Sequence, residues 1–195
     1  MEALIVIAVL VVVAGGAVAV ARSRRPPRAA LPERSPADDQ RSLHGDVRRL
    51  GPGDVVNYEG TDFIVDRTMR FDEEGFTWDE HLLEDAVSGR KLWLSVEDDD
   101  GLEVAVYERV EGSDLTPDAA EVAHAGTTYR RDERGRATFR TERVGTPTGE
   151  SGTVEYADYT AGDQLLAFER YGTGSWEVSQ GRRISEHVLD VYPRS

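Results

Sequence analysis

Residues Trp78 to Gly101 read WDEHLLEDAVSGRKLWLSVEDDDG, and they hold eight acidic residues, a histidine and two tryptophans in 24 positions. The dipeptides Ser88-Gly89 and Asp100-Gly101 are typical of tight turns, and apolar residues alternate with polar ones between them. The stretch therefore predicts a strand from Phe76 to about Ala86, a turn, and a second strand from Lys91 to Glu97.

The same pattern continues along the rest of the chain. Apolar residues recur with period two at Phe63 and Val65 and again at Leu102, Val104 and Val106. Turn dipeptides interrupt them at short intervals, and no long helical stripe is present. The spacing predicts an all-β domain of about eight to eleven strands, folded as a sandwich or a partly open barrel.

The sequence also contains an internal repeat. Tyr58-Glu59-Gly60-Thr61 matches His124-Ala125-Gly126-Thr127, and a similar correspondence relates Gly89-Arg90-Lys91-Leu92 to Gly162-Asp163-Gln164-Leu165. We interpret these matches as two related β-meanders, residues 50–114 and 115–195, joined near Thr116-Pro117.

The N-terminus has the composition of a membrane helix. Residues 3–21 are all Ala, Leu, Ile, Val or Gly, and as a helix they would span about 28 Å, close to the hydrocarbon core of a bilayer. A cleaved signal peptide is the alternative, but it needs positive charge before the apolar run. Here the arginines follow it, which predicts a retained single-pass anchor over residues 1–22, with the N-terminus outside and the remaining chain cytoplasmic.

A Pro- and Arg-rich segment, residues 23–49, comes next and predicts a flexible linker with a short helical or turn segment near its end. The folded domain is expected over residues 50–195. Gly51-Pro52-Gly53-Asp54 marks its beginning, because these residues favour a turn.

Charge and composition exclude several functions. The chain has a net charge of -14 and no cysteine, so disulfides, thiol nucleophiles and thiolate metal sites are excluded. Residues 51–114 carry 19 acidic and 5 basic residues, whereas residues 115–195 carry 13 and 10. Nucleic acid is a poor partner for such a surface. We expect the arginine-rich segment 130–143 to pair with the acidic first half, within one molecule or across a homodimer.

No catalytic, cofactor or metal motif emerges from the sequence. The acidic run at residues 97–100 lacks the ligand order of a calcium loop, and P-loop and nucleophile-elbow patterns are absent. Trp78, Glu80, His81 and Trp93 are the candidate ligand-binding residues. Glu80 and His81 are neighbours on one strand, so their side chains point to opposite faces, which argues against an acid-base pair.

Four motifs carry a family resemblance: Gly53-Asp54-x-Val56, Tyr58-x-Gly60-x-x-Phe63-x-Val65, Trp78-x-Glu80-His81-x-Leu83 and Gly89-x-x-x-Trp93-Leu94. Over roughly residues 50–190 the chain resembles the bacterial family catalogued as domain of unknown function 4178. Histidine stands at position 81, where that family commonly has tyrosine. The resemblance implies a β-rich domain, sometimes attached to a membrane helix, and it transfers no catalytic residue.

Two functional hypotheses follow. The first is a non-enzymatic interaction or scaffold protein, anchored in the bilayer, whose acidic domain binds a protein partner such as another small membrane protein. The alternative is a domain, either a binding module or an enzyme, that takes a small molecule or a polycation at a site between the two β-copies. The sequence favours a non-enzymatic role, because no catalytic constellation is recognisable.

Overall fold

Eleven strands and two short 3-10 helices make up residues 45–99, 101–146 and 149–194, the part of the chain that the computed structural model describes. The strands are β1 (Val55–Tyr58), β2 (Thr61–Glu73), β3 (Phe76–Glu84), β4 (Lys91–Asp98), β5 (Leu102–Arg109), β6 (Glu121–His124), β7 (Thr127–Arg143), β8 (Ser151–Ala161), β9 (Gln164–Tyr171), β10 (Glu177–Ile184) and β11 (Leu189–Tyr192). The helices are η1 (Val47–Arg49) and η2 (Glu186–Val188). The all-β prediction is confirmed.

The predicted hairpins form as their turn residues require. Strands β1 and β2 are joined by Glu59-Gly60, whose φ angles are 51° and 79°, and β6 and β7 by Ala125-Gly126, with 47° and 82°. Two successive positive φ angles are typical of the type I′ turn, whose twist matches that of the flanking strands. The hairpin expected from Trp78 to Gly101 is also present, with β3 antiparallel to β4 and β4 antiparallel to β5.

Two five-stranded meanders, β1 to β5 and β6 to β10, associate into one sheet. Each has one long strand with an irregular register, between Val65 and Arg67 in β2 and between Arg131 and Glu133 in β7. Antiparallel pairing of β5 with β10 and of β2 with β7 joins the meanders at both edges. Eight strands therefore close into a barrel in the order β2-β3-β4-β5-β10-β9-β8-β7, whereas the sequence predicted a sandwich or a partly open barrel.

The long strands explain the closure. The first residues of β2 pair with β1, and residues 67–72 of the same strand pair with β7. In the same way, residues 127–130 of β7 pair with β6, and its last residues pair with β2. A strand that serves two partners in succession can leave its own meander and complete a ring.

Most of the apolar core lies outside the ring. On β4, Leu92, Leu94 and Val96 are buried and pack against β1, β11 and η1 in one cluster. A second cluster on the other meander includes Tyr159 and Phe168. Because side chains alternate across a strand, the opposite faces of these strands point into the barrel.

Ion pairs reinforce the two edges where the meanders meet. The Arg70 guanidinium donates to Glu142 across β2 and β7 at 2.9 Å, and Arg109 donates to Glu177 across β5 and β10 at 2.5 Å. From the arginine-rich segment, Arg136 instead pairs with Glu155 of its own half at 2.8 Å. Charge pairing between the halves thus occurs within one molecule, but through other arginines than the sequence indicated.

The predicted anchor and nearly all of the predicted linker lie outside the described residues. Over residues 45–99, 101–146 and 149–194, no helix has the length and apolar character needed to cross a bilayer. The last linker residues, 45–49, are part of the fold: the Gly45 amide donates to Val191 at 2.7 Å, and Val47, the first residue of η1, is buried.

Candidate ligand-binding cavity

A cavity of about 300 Å³ lies inside the barrel, lined by residues from both meanders. Trp93, Ser95 and Glu97 of β4 face it, and they alternate with the buried Leu92, Leu94 and Val96 of the outer cluster. A volume of this size is at the small end of the range for ligand pockets.

Negative charge dominates the cavity wall. Among the residues that the structure describes, one basic side chain, Arg183, lines it. The acidic residues that line it are Glu80, Glu97, Glu103, Asp132, Glu133, Asp158 and Glu169. The aromatic side chains that face it are Phe76, Trp78, Trp93, Tyr107 and Tyr156. Such a combination of carboxylates and aromatic rings favours a cation with apolar surface, because both groups attract positive charge.

The deep end of the cavity holds two carboxyl groups in contact. Glu80 of β3 and Glu169 of β9 are hydrogen-bonded to each other, the Trp78 indole N–H donates to Glu80 at 3.3 Å, and the Tyr171 hydroxyl is hydrogen-bonded to Glu169. Burial and the neighbouring Glu169 raise the pKa of Glu80 well above its ordinary value. Burial likewise raises the pKa of Glu169 to about 7. Two carboxyls in contact hold a shared proton near neutral pH, because both cannot ionise cheaply.

Asp158 of β8 lies beside this pair. Burial, then the charges of Glu169 and Glu133, raise the pKa of Asp158 to about 7. None of the hydrogen bonds or ion pairs among the described residues involves its side chain, which is partly buried and faces the cavity. A carboxyl enclosed without a partner is costly, and a bound cation would offset that cost.

A second group of carboxyls lies nearer the opening. Burial and the charge of Glu103 raise the pKa of Glu97, and the two residues face each other across β4 and β5. The Tyr156 hydroxyl donates to Glu73, and a Glu133 carboxylate oxygen lies 3.1 Å from the same hydroxyl. Arg183 contacts Glu103 at 3.4 Å and is 41% exposed, so the single cation of the wall lies at the rim.

Three of the four residues selected from the sequence line this cavity: Trp78, Glu80 and Trp93. His81 does not line the cavity, because Glu80 does and neighbouring residues of a strand point to opposite faces. Its side chain is 1% exposed on the opposite face of β3, where its Nδ1 lies 2.9 Å from the Thr68 hydroxyl. Burial and the charge of Arg70 lower the pKa of His81 to about 4, so the ring is neutral at physiological pH. We therefore remove His81 from the candidate site.

Sequence reasoning missed the contribution of the second meander. Asp158, Glu169 and Tyr107 line the cavity, yet none was selected. A pattern in the sequence does mark them. Asp158 lies between the apolar residues Ala157 and Tyr159, and Glu169 follows the buried Phe168, so on each strand a charged residue adjoins an apolar face. That pattern is usually a solvent-exposed face, and only ring closure turns it inward.

Comparisons with known proteins agree on a family. The profile described as Domain of unknown function (DUF4178) matches residues 51–186. Uncharacterized proteins of Mycobacterium bovis and of two strains of Mycobacterium tuberculosis are 36% identical over 201 residues, covering 97% of this chain and 95% of theirs. No solved structure matches the chain.

Proposed function

The chain belongs to the family described as domain of unknown function 4178, and we propose that its barrel binds a small organic cation. The observation that carries the proposal is the cavity between the two meanders, with seven carboxyl residues and one rim arginine on its wall. The proposal corresponds to the alternative hypothesis from the sequence, a binding site between the β-copies.

Electrostatics explains why a cation would bind there. Asp158, Glu80 and Glu169 hold protons more tightly than ordinary carboxyls, because protein surrounds them and like charges are near. An ammonium group in the cavity would replace the missing solvation and counter-charge, which makes the ionised forms favourable. Water-accessible surface carboxylates gain much less from the same cation, because they are already solvated.

The aromatic walls add selectivity for an organic cation over a bare metal ion. Trp93 already has the Arg67 guanidinium over its ring, 5.3 Å from the centroid. Trp78 is stacked on Phe71 at 4.9 Å, which fixes the indole at the cavity wall. Rigid rings of this kind bind the methylene groups of an ammonium compound as well as its charge.

Calorimetric titration of the purified full-length chain with n-butylamine, putrescine and tetramethylammonium tests the proposal. At physiological salt we expect saturable binding of at least one of these cations at one site. Asp158→Asn should abolish it, since the substitution removes the unpartnered charge with little change in shape. Asp114→Asn is the matched control, because Asp114 is exposed and lies outside the cavity. Absence of binding by all three cations, or equal binding by both variants, would contradict the proposal.

We also propose, from the sequence, that residues 3–21 anchor this binding domain at the cytoplasmic face of a membrane. The support is the apolar run and the arginines that follow it. In-cell crosslinking of the full chain beside a version lacking residues 1–21 tests the anchor and the protein partner together. A partner captured only with the anchor present would support a tethered protein, and identical capture by both versions would count against it.

A further inference from the structure

The carboxyls of the cavity occupy two levels along the barrel. Glu80 pairs with Ser95 in the register of β3 and β4, and Glu97 lies two residues farther along β4 on the same face. Two residues of a strand correspond to roughly 7 Å. The hydrogen-bonded pair of Glu80 and Glu169 thus forms a deep level, and Glu97, Glu103 and Glu133 form a level near the opening.

Asp158 lies beside the deep level, because its partner in the register of β8 and β9 is Ala167, two residues from Glu169 on the same face. The charges that act on it come from Glu169 of the deep level and from Glu133 and Glu97 of the outer one. Its side chain faces the cavity and has no hydrogen-bonding or ionic partner among the described residues, so its charge is available to a positively charged ligand.

The wall between the levels is aromatic. Trp78 donates to the deep Glu80 and, in the register of β3 and β4, faces the outer Glu97. The Tyr156 ring lies against Trp78, with 5.5 Å between centroids, and its hydroxyl oxygen lies 3.1 Å from Glu133 of the outer level. A ligand that extends from one level to the other would therefore place charge at both ends and apolar surface in the middle.

We infer that the preferred ligand is a linear dication, with two ammonium groups joined by a short alkyl spacer. One ammonium contacts Glu80, Glu169 and Asp158, the other contacts Glu97 and Glu133, and the spacer packs on Trp78 and Tyr156. This inference rests on the proposed function, since it specifies the class of cation for the same cavity. Binding involves no covalent step.

A matched pair of probes tests the inference on the full-length chain. Putrescine and n-butylamine share a four-carbon chain and differ in the second amine. Calorimetry at physiological salt should give putrescine a Kd lower by about tenfold or more, because the second ammonium adds charge-assisted hydrogen bonds. Equal affinity, or tighter binding of n-butylamine, would overturn the inference that the preferred ligand is a dication, and it would leave the proposed function intact. No binding of either would reject both.

A variant at the outer level locates the second charge. Glu97→Gln should raise the Kd of putrescine by about tenfold and leave that of n-butylamine within about twofold, because the monoamine binds at the deep level. Thermal denaturation verifies that this variant is folded. An equal loss for both probes would overturn the two-level arrangement, while the comparison of the probes on the unaltered chain does not depend on any variant.

Discussion

The outer and inner faces of the same strands differ sharply. On β4, the outward side chains Leu92, Leu94 and Val96 are buried in an apolar cluster, whereas the inward side chains of Ser95 and Glu97 line an acidic cavity. In small barrels the interior is usually filled by packed side chains. Here the layers outside the ring contain much of the apolar core, which leaves space inside for polar groups.

The largest expected effect comes from the outer face. Phe63 is fully buried in the cluster formed by β1, β2, β4 and β11. Phe63→Ala should lower the free energy of unfolding by about 3 to 5 kcal/mol, because it removes a large apolar contact and leaves a cavity. Urea denaturation measures the loss. A change below about 1 kcal/mol would indicate that the outer cluster is not the stabilising core.

The inner face should behave in the opposite way. Glu169→Gln removes a carboxyl that burial already disfavours in its ionised form. The variant should unfold at an equal or higher urea concentration than the natural chain at pH 8, since it removes a buried charge without removing volume. A loss as large as that of Phe63→Ala would contradict the division between the faces.

The pH dependence of stability sharpens the same comparison. Asp158 and Glu169 have folded-state pKa values raised to about 7, so the folded chain binds more protons than the unfolded chain at mildly acidic pH. Their contribution to the free energy of unfolding is fully present below the unfolded pKa near 4 and is lost as pH rises through about 7. After allowance for water in the cavity, that contribution is roughly 1 to 2 kcal/mol for each carboxyl.

Urea denaturation at pH values from 4 to 8 measures this slope. The double variant Asp158→Asn and Glu169→Gln should flatten it, and Asp114→Asn should leave it unchanged, because Asp114 is exposed. If the free energy of unfolding still falls with rising pH in the double variant, titratable groups other than Asp158 and Glu169 cause the fall.

A further test concerns the polar contact within the outer layer. Thr68 and His81 are both buried, and the Thr68 hydroxyl is the partner of the ring Nδ1. Thr68→Val should cost about 1 to 3 kcal/mol, because it leaves the imidazole nitrogen buried without a partner. Binding of cations in the cavity should be unaffected, since His81 lies on the other face. A loss of binding would mean that the two faces are coupled.

The hairpins of this structure could be predicted from the sequence. Turn residues such as Glu59-Gly60 and the alternation around Leu92 and Leu94 predict hairpins, because both depend on neighbouring residues. Closure of the barrel could not be predicted, because it depends on pairing of β2 with β7, two strands separated by more than fifty residues. The cavity follows from that closure. Glu80 was selected from the first meander, but Glu169 became its neighbour only through the fold.

Proton release on ligand binding tests the central claim most directly. Putrescine is titrated into the full-length chain at pH 7 in two buffers of different ionisation enthalpy, and the difference in heat gives the number of protons released. The account predicts release of about one proton, because the cation ionises carboxyls whose pKa values lie near 7. Binding with no difference between the buffers would contradict a site built on these carboxyls, and no binding at all would contradict the cavity as a cation site.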